Sequence, residues 1–126
     1  MVGIDIIDIG RFERFYEKFG EKALKRFLSD KEIALSNLKI DTLAGFFASK
    51  EAISKALGTG IGDKVGFFDI KLYKDSKNAP YFTLPKKIVL EYGIKETSLS
   101  ISHEKSYAVA VAVIETNSTS QKNLYH

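Results

Sequence analysis

Between Phe46 and Gly62 the chain reads FFASKEAISKALGTGIG, a run of Phe, Ala, Ile and Leu that holds Lys50, Glu51 and Lys55 and ends in closely spaced glycines. A charge in apolar company costs several kcal/mol unless it is paired or bound, so these three call for compensating groups. At about 100° per residue, Phe46, Ile53 and Leu57 mark one apolar face, with Leu43 and Lys50 beside it. Glu51 and Lys55, one turn apart, lie on the opposite face over the small Ala44 and Ala48, where something can approach the helix closely. A helix apolar on both sides is central, and its charges are at least partly out of water. Glu51 and Lys55 then form either a surface ion pair worth about 0.3–0.5 kcal/mol or part of a site. Lys50 is either a snorkelling surface residue or a ligand.

Two further features bear on that choice. Asp5 stands in an apolar strand, either at a solvated edge or as a carboxylate with a task. Gly58-Thr59-Gly60 follows the charged helix directly. It is either a cap and turn, or a backbone that lets a phosphate or nucleotide come close.

The elements that must position these groups read as follows. Val2–Ile7 alternates as a strand, with Val2, Ile4 and Ile6 on one face and Gly3, Asp5 and Ile7 on the other. Arg11–Phe27 is helical, with Phe12, Phe15, Tyr16 and Phe19 as its apolar stripe and Gly20 dividing it. Ser29 and Glu32 match a capping box that starts a short helix. Thr42–Leu57 is the longest helix, with Gly58 as its cap. A strand from about Phe67 to Tyr73, a turn at DSKNAP and a return strand from Tyr81 to Leu84 follow. Pro85 opens a helix to about Tyr92. TSLSISH and SYAVAVAVIE close the chain as a hairpin whose second strand, apolar on both faces, is central. These elements make one α+β domain over residues 1–115. The polar tail, 116–126, has nothing to bury and is expected to be mobile.

A chain of 126 residues can bury one modest core. It has no cysteine and two histidines, one of them the last residue, which excludes disulfides and thiolate metal sites. Hard oxygen ligands for an ion such as Mg²⁺ remain. No apolar run approaches the ~18–20 residues that span a bilayer, and the start lacks the features of a signal peptide, so a cytoplasmic protein without membrane contact is expected. A net charge of +3 permits an acidic partner without requiring one.

Three blocks, GIDIIDIGRFE, FASKEAISKALGTGIG and LSISHEKSYAVAVAV, together resemble the holo-acyl-carrier-protein synthases, the short single-repeat class of 4′-phosphopantetheinyl transferases. The likeness covers nearly everything before the polar tail. It implies a mostly antiparallel sheet packed with a long central helix, and a homotrimer with active sites between neighbouring subunits. It also implies Mg²⁺-dependent transfer of the 4′-phosphopantetheine group of coenzyme A to a serine of acyl carrier protein, for fatty-acid biosynthesis. On this resemblance Asp5 and Glu51 hold the metal and, with Lys55 on the diphosphate, form the catalytic set. Lys50 is a further phosphate contact. Gly58, Thr59, Gly60, Ser102 and His103 border coenzyme A, with a packing or turn role for His103 equally open. The proton acceptor is either Glu51 or a metal-activated water. Asp8 is assigned no catalytic role. Members often carry a basic residue where this chain has Phe46, so another group must replace it or affinity falls.

Arg11, Arg14 and Lys18 recur along one helix edge, read as a solvated rim or, by the resemblance, as the surface that docks acyl carrier protein. Val109, Val111 and Val113, with the alanines between them, suit either a subunit interface or an internal core. Two other classes of function stay in view. A non-enzymatic module gripping an acidic partner accounts for the basic edge but not for Asp5, Glu51 and Lys55. Nucleic-acid binding calls for a stronger basic excess and exposed aromatics, and is not expected. A broader transferase for the carrier domains of peptide or polyketide synthases fits the short single-repeat length poorly.

Overall fold

A computed structural model describes residues 1–117. Strand β1 (Val2–Asp8) passes directly into helix α1 (Ile9–Phe19). Asp8 ends the one and caps the other: its Oδ1 accepts the Arg11 N–H at 2.9 Å, satisfying a free amide of the first turn. Gly20, at φ 68°, separates α1 from the short α2 (Glu21–Leu24). The Ser29–Glu32 capping box opens α3 (Asp30–Ser36) as expected. The long helix α4 (Ile40–Leu57) ends at Gly58, whose φ of 79° places it in the left-handed region that glycine tolerates best.

Phe67 does not begin a strand. Phe67–Asp69 is a 3₁₀ turn, held by the Gly66 N–H donating to Asp69 Oδ2 at 2.7 Å, a local bond that competes with strand pairing. Strand β2 is therefore only Lys71–Lys74, paired with β3 (Pro80–Thr83). Pro85 precedes α5 (Lys86–Tyr92), and β4 (Ile94–His103) and β5 (Tyr107–Thr116) form the closing hairpin. Thr116 is buried within β5, so the strand passes the boundary read at residue 115. Residues 118–126, most of the polar tail, lie outside the described residues.

The main sheet is antiparallel in the order β1-β5-β4, with β5 central, as its two apolar faces require. Ala108, Ala110, Ala112 and Ile114 face α4 and are fully buried. Val109, Val111 and Val113 point the other way, in register with Ile6, Ile4 and Val2. The small inward side chains let α4 lie close against the sheet. Ala52 and Ala56 meet Gly3 on β1, while Gly45 meets Ile101 on β4, so the helix crosses the sheet diagonally.

At Gly3 the contact is backbone on backbone: a Cβ there would overlap the Ala52 carbonyl oxygen and the Ala56 amide nitrogen. Gly3→Ala should therefore cost about 2–3 kcal/mol, because neither obstructing atom is a movable side chain. Thermal melting of the variant checks this; a wild-type midpoint would contradict the close approach.

Candidate active site

The close contact at Gly3 sets Asp5, two residues along β1, beside the carboxyl-terminal half of α4. Lys55 Nζ donates to Asp5 Oδ1 at 2.7 Å and to the Ile4 carbonyl at 3.3 Å. Lys55 thus pairs with the strand carboxylate, not along the helix with Glu51. The Glu51 carboxylate has neither a hydrogen bond nor an ion pair among the described residues. Burial, and then the charge of Asp5, push its carboxyl above the ordinary range, with Lys55 pulling it back in part.

Two carboxylates facing one ammonium leave an excess of negative charge and a set of hard oxygen donors. That chemistry fits a small divalent cation, which takes few protein ligands and completes its shell with water and phosphate oxygens. No group of three or more His, Cys, Asp or Glu forms a fuller cage among the described residues.

The glycine loop begins at the same end of α4, but its amides are already engaged. Gly58 N–H donates to the Lys55 carbonyl at 3.0 Å, and the Thr59 and Gly60 N–H groups donate to the Ser54 carbonyl at 3.1 and 3.2 Å. What the loop offers a ligand is room: nothing lies within 4 Å of a Cβ built at Gly58 or Gly60.

Ser102 and His103 lie elsewhere. They are consecutive on β4 and face opposite sides of the sheet, Ser102 in register with Val109 on the outer face and His103 with Ala108 on the inner. His103 Nδ1 stands 3.5 Å from Asp41 Oδ2 at the amino-terminal end of α4. Ten residues of helix between Asp41 and Glu51 amount to ~15 Å. One chain therefore does not bring His103 together with Asp5, Glu51 and Lys55.

Lys50 corrects the sequence reading. It is fully buried, and its ammonium donates to the Phe27 carbonyl at 2.7 Å, to Glu32 Oε1 at 2.9 Å and to the Phe67 carbonyl at 2.9 Å. Three acceptors use all three protons, leaving none for a phosphate. Burial pulls the Lys50 ammonium below its ordinary range, and the Glu32 carboxylate opposes that pull. Glu32 is itself a junction: Oε1 also accepts the Ser29 N–H, and Oε2 accepts the Leu72 N–H at 2.8 Å. The sequence held a signal for this pair, a lysine beside the buried stripe of α4 and an acid in a capping box, but not the tertiary contact that joins them.

Arg11, Arg14 and Lys18 are exposed along α1. The aromatic stripe beside them is only partly covered, with Phe12 buried but Phe15 and Phe19 exposed by 36% and 54%.

The α+β fold, with a strand carboxylate set against Glu51 and Lys55 of a central helix, is that of a phosphopantetheinyl-transferring enzyme: the chain belongs to the 4′-phosphopantetheinyl transferase superfamily, whose family model matches residues 1–112. Among its relatives are holo-[acyl-carrier-protein] synthases. That of Wolinella succinogenes is 50% identical over 115 residues, covering 91% of this chain and 97% of the relative. The crystal structure of the Helicobacter pylori synthase in complex with coenzyme A superposes with a TM-score of 0.88 at 49% identity, over 91% of this chain and all of that one. The Bacillus anthracis synthase, in complex with CoA (3′,5′-ADP), gives a TM-score of 0.77 at 38% identity, over 92% of this chain and 96% of that one.

Proposed function

We propose that this protein transfers the 4′-phosphopantetheine group of coenzyme A to a serine of apo acyl carrier protein, feeding fatty-acid biosynthesis in the cytoplasm. The serine hydroxyl gives up its proton and its oxygen bonds to the phosphorus that carries pantetheine. The bond from that phosphorus to the bridging anhydride oxygen breaks, and adenosine 3′,5′-bisphosphate leaves with that oxygen. The observation that carries this reading is the Asp5–Lys55 pair, 2.7 Å apart, with the Glu51 carboxylate beside it and without a hydrogen bond or ion pair among the described residues. Lys55 neutralises the diphosphate oxygens as charge moves to the leaving group. Asp5 and Glu51 would hold Mg²⁺, which would supply Lewis-acid neutralisation of developing charge when bound. Glu51, or a water beside it, takes the serine proton.

Mass spectrometry of apo acyl carrier protein after incubation with coenzyme A and Mg²⁺ tests the reaction. A carrier heavier by one phosphopantetheine group is expected; an unmodified carrier under excess enzyme would sink the proposal.

The assembly proposed is a homotrimer. Val2, Ile4 and Ile6 are exposed by 65%, 59% and 62%, and with Val113 they form an apolar sheet face that a monomer leaves in water. A neighbouring subunit covering this face also accounts for the separation of His103 from Asp5, Glu51 and Lys55 along α4.

Acyl carrier protein docks on the Arg11, Arg14 and Lys18 edge of α1, beside the half-exposed Phe15 and Phe19. Arg14→Glu should raise the KM for the carrier and leave that for coenzyme A nearly unchanged. Salt should weaken carrier binding by the wild type more than by the variant, since exposed charges are screened over ~8–10 Å. Titrations of each substrate at two salt concentrations check this; loss of coenzyme A affinity with carrier affinity intact would place the nucleotide on α1.

A further inference from the structure

Lys55 has two tasks that one ammonium cannot perform at once. Its Nζ donates to Asp5 Oδ1 at 2.7 Å and to the Ile4 carbonyl at 3.3 Å, which commits two of its three protons to β1. A diphosphate calls for that charge on its own oxygens, and a divalent cation calls for the Asp5 carboxylate. An ammonium and a divalent cation on one carboxylate repel each other at close range. Asp5 therefore serves one of them at a time.

The surroundings of the pair say which partner moves. The Lys55 side chain is 51% exposed and that of Asp5 17%, so the strand carboxylate is held while the four-carbon stem of the lysine is free to swing into water. Lys50, on the same helix, is the opposite case: three acceptors inside the core fix its ammonium where it is. The bond from Lys55 is the only hydrogen bond to the Asp5 side chain among the described residues, and Lys55 stands in the last turn of α4, one turn beyond Glu51. Two carboxylates and one ammonium carry a net negative charge, which repels a diphosphate.

We propose that Lys55 competes with the divalent ion for Asp5 and turns to the phosphate oxygens of the donor as it yields that carboxylate. The inference rests on the reading of the protein as a metal-dependent transferase that uses coenzyme A, and adds how the charges of its site are exchanged. While Lys55 holds Asp5, the site disfavours both the cation and the diphosphate. Once Lys55 lets go, both carboxylates are free to ligate, and all three protons of the ammonium face the donor. Lys55 therefore opposes metal binding on its own and favours metal and donor together, so uptake of the donor is tied to uptake of the metal.

The test follows metal binding without turnover. Mn²⁺ is titrated into the wild type and Lys55→Met, with no donor present, and the free ion is read by electron paramagnetic resonance. Lys55→Met should bind Mn²⁺ roughly tenfold more tightly, between the scale of an exposed ion pair and that of a hydrogen bond to a charged group. At saturating Mg²⁺ the same variant should bind coenzyme A more weakly than the wild type, so one substitution moves the two affinities in opposite directions. Equal or weaker Mn²⁺ binding by Lys55→Met overturns the competition. Nitrogen NMR of the wild-type Lys55 ammonium, assigned by its loss in Lys55→Met, separates exchange of partners from charge acting at a distance. Its protons should exchange with water faster once Mg²⁺ is added, as the bonds to Asp5 and Ile4 open. Tighter Mn²⁺ binding by the variant with no such change in the wild type leaves Lys55 on Asp5 and overturns the proposal. None of these measurements uses acyl carrier protein. If they come out as expected and no carrier is modified, the failure lies with the proposed reaction; a modified carrier with Mn²⁺ affinity unchanged in Lys55→Met sinks the competition alone.

Discussion

Glu51→Gln should lose roughly 100- to 1,000-fold in turnover, the scale of a preorganised charge removed from an active site, while melting at or above the wild-type temperature. The second half of that expectation follows from the environment of Glu51. Burial and Asp5 raise its carboxyl above the ordinary value of 4.5, so the folded chain binds this proton more tightly than the unfolded chain does. Stability therefore falls as pH rises from 4.5 through the raised value and stays lowered at neutral pH. Glutamine has the same shape and no charge to oppose folding. Asp5→Asn should share the loss of turnover without the gain in stability, because it takes from Lys55 its only ion-pair partner among the described residues. Steady-state rates of carrier modification, paired with thermal melts, read both halves. Wild-type turnover in either variant, or full activity in EDTA, would remove these carboxylates from the metal assignment.

Lys50→Met should destabilise the protein by about 3–5 kcal/mol, the cost of breaking a buried ion pair from one side. The change leaves the Glu32 charge unpaired, takes from the Phe27 carbonyl its Lys50 donor and leaves the Phe67 carbonyl only the Ile70 N–H at 3.3 Å. Partial recovery is expected in Glu32→Gln/Lys50→Met, where no unpaired charge stays buried. The fraction that remains folded should bind coenzyme A as the wild type does. Denaturant melts together with KM measurements separate the two roles of Lys50. Wild-type stability combined with a raised KM for coenzyme A would return it to the phosphates.

Element types and order were legible wherever a local rule governs them. The Ser29–Glu32 capping box, the break at Gly20, the cap at Gly58 and the central position of β5 all follow from neighbours along the chain. Phe67 was misread because strand propensity competes there with a bond from Gly66 to Asp69, which periodicity does not register. Asp5, Glu51 and Lys55 were picked out as charges in apolar surroundings, and the structure brings Asp5 to Lys55 across 50 residues of sequence. Lys50 belonged to the same pattern and had the opposite outcome. One helix carried two kinds of compensated charge, and the difference between them is tertiary: Lys50 faces Glu32 inside the core, whereas Lys55 is half exposed.

The junction of β1 with α1 carries a mechanical consequence. Asp8 is the last residue of the strand and Ile9 the first of the helix, so no hinge lies between Asp5 and the basic edge of α1. The direction in which Arg11, Arg14 and Lys18 point, relative to Asp5, is thus set by successive backbone torsions. The buried Ile9 and Phe12 seat that helix on the core. A substitution at an exposed position of α1 alters one group and leaves the aim of the others intact. A single residue inserted after Asp8 would leave every side chain present, yet would turn the whole edge about 100° around the helix axis. At its exposed positions the stretch is tolerant of changes in composition, and along its whole length it is intolerant of changes in length.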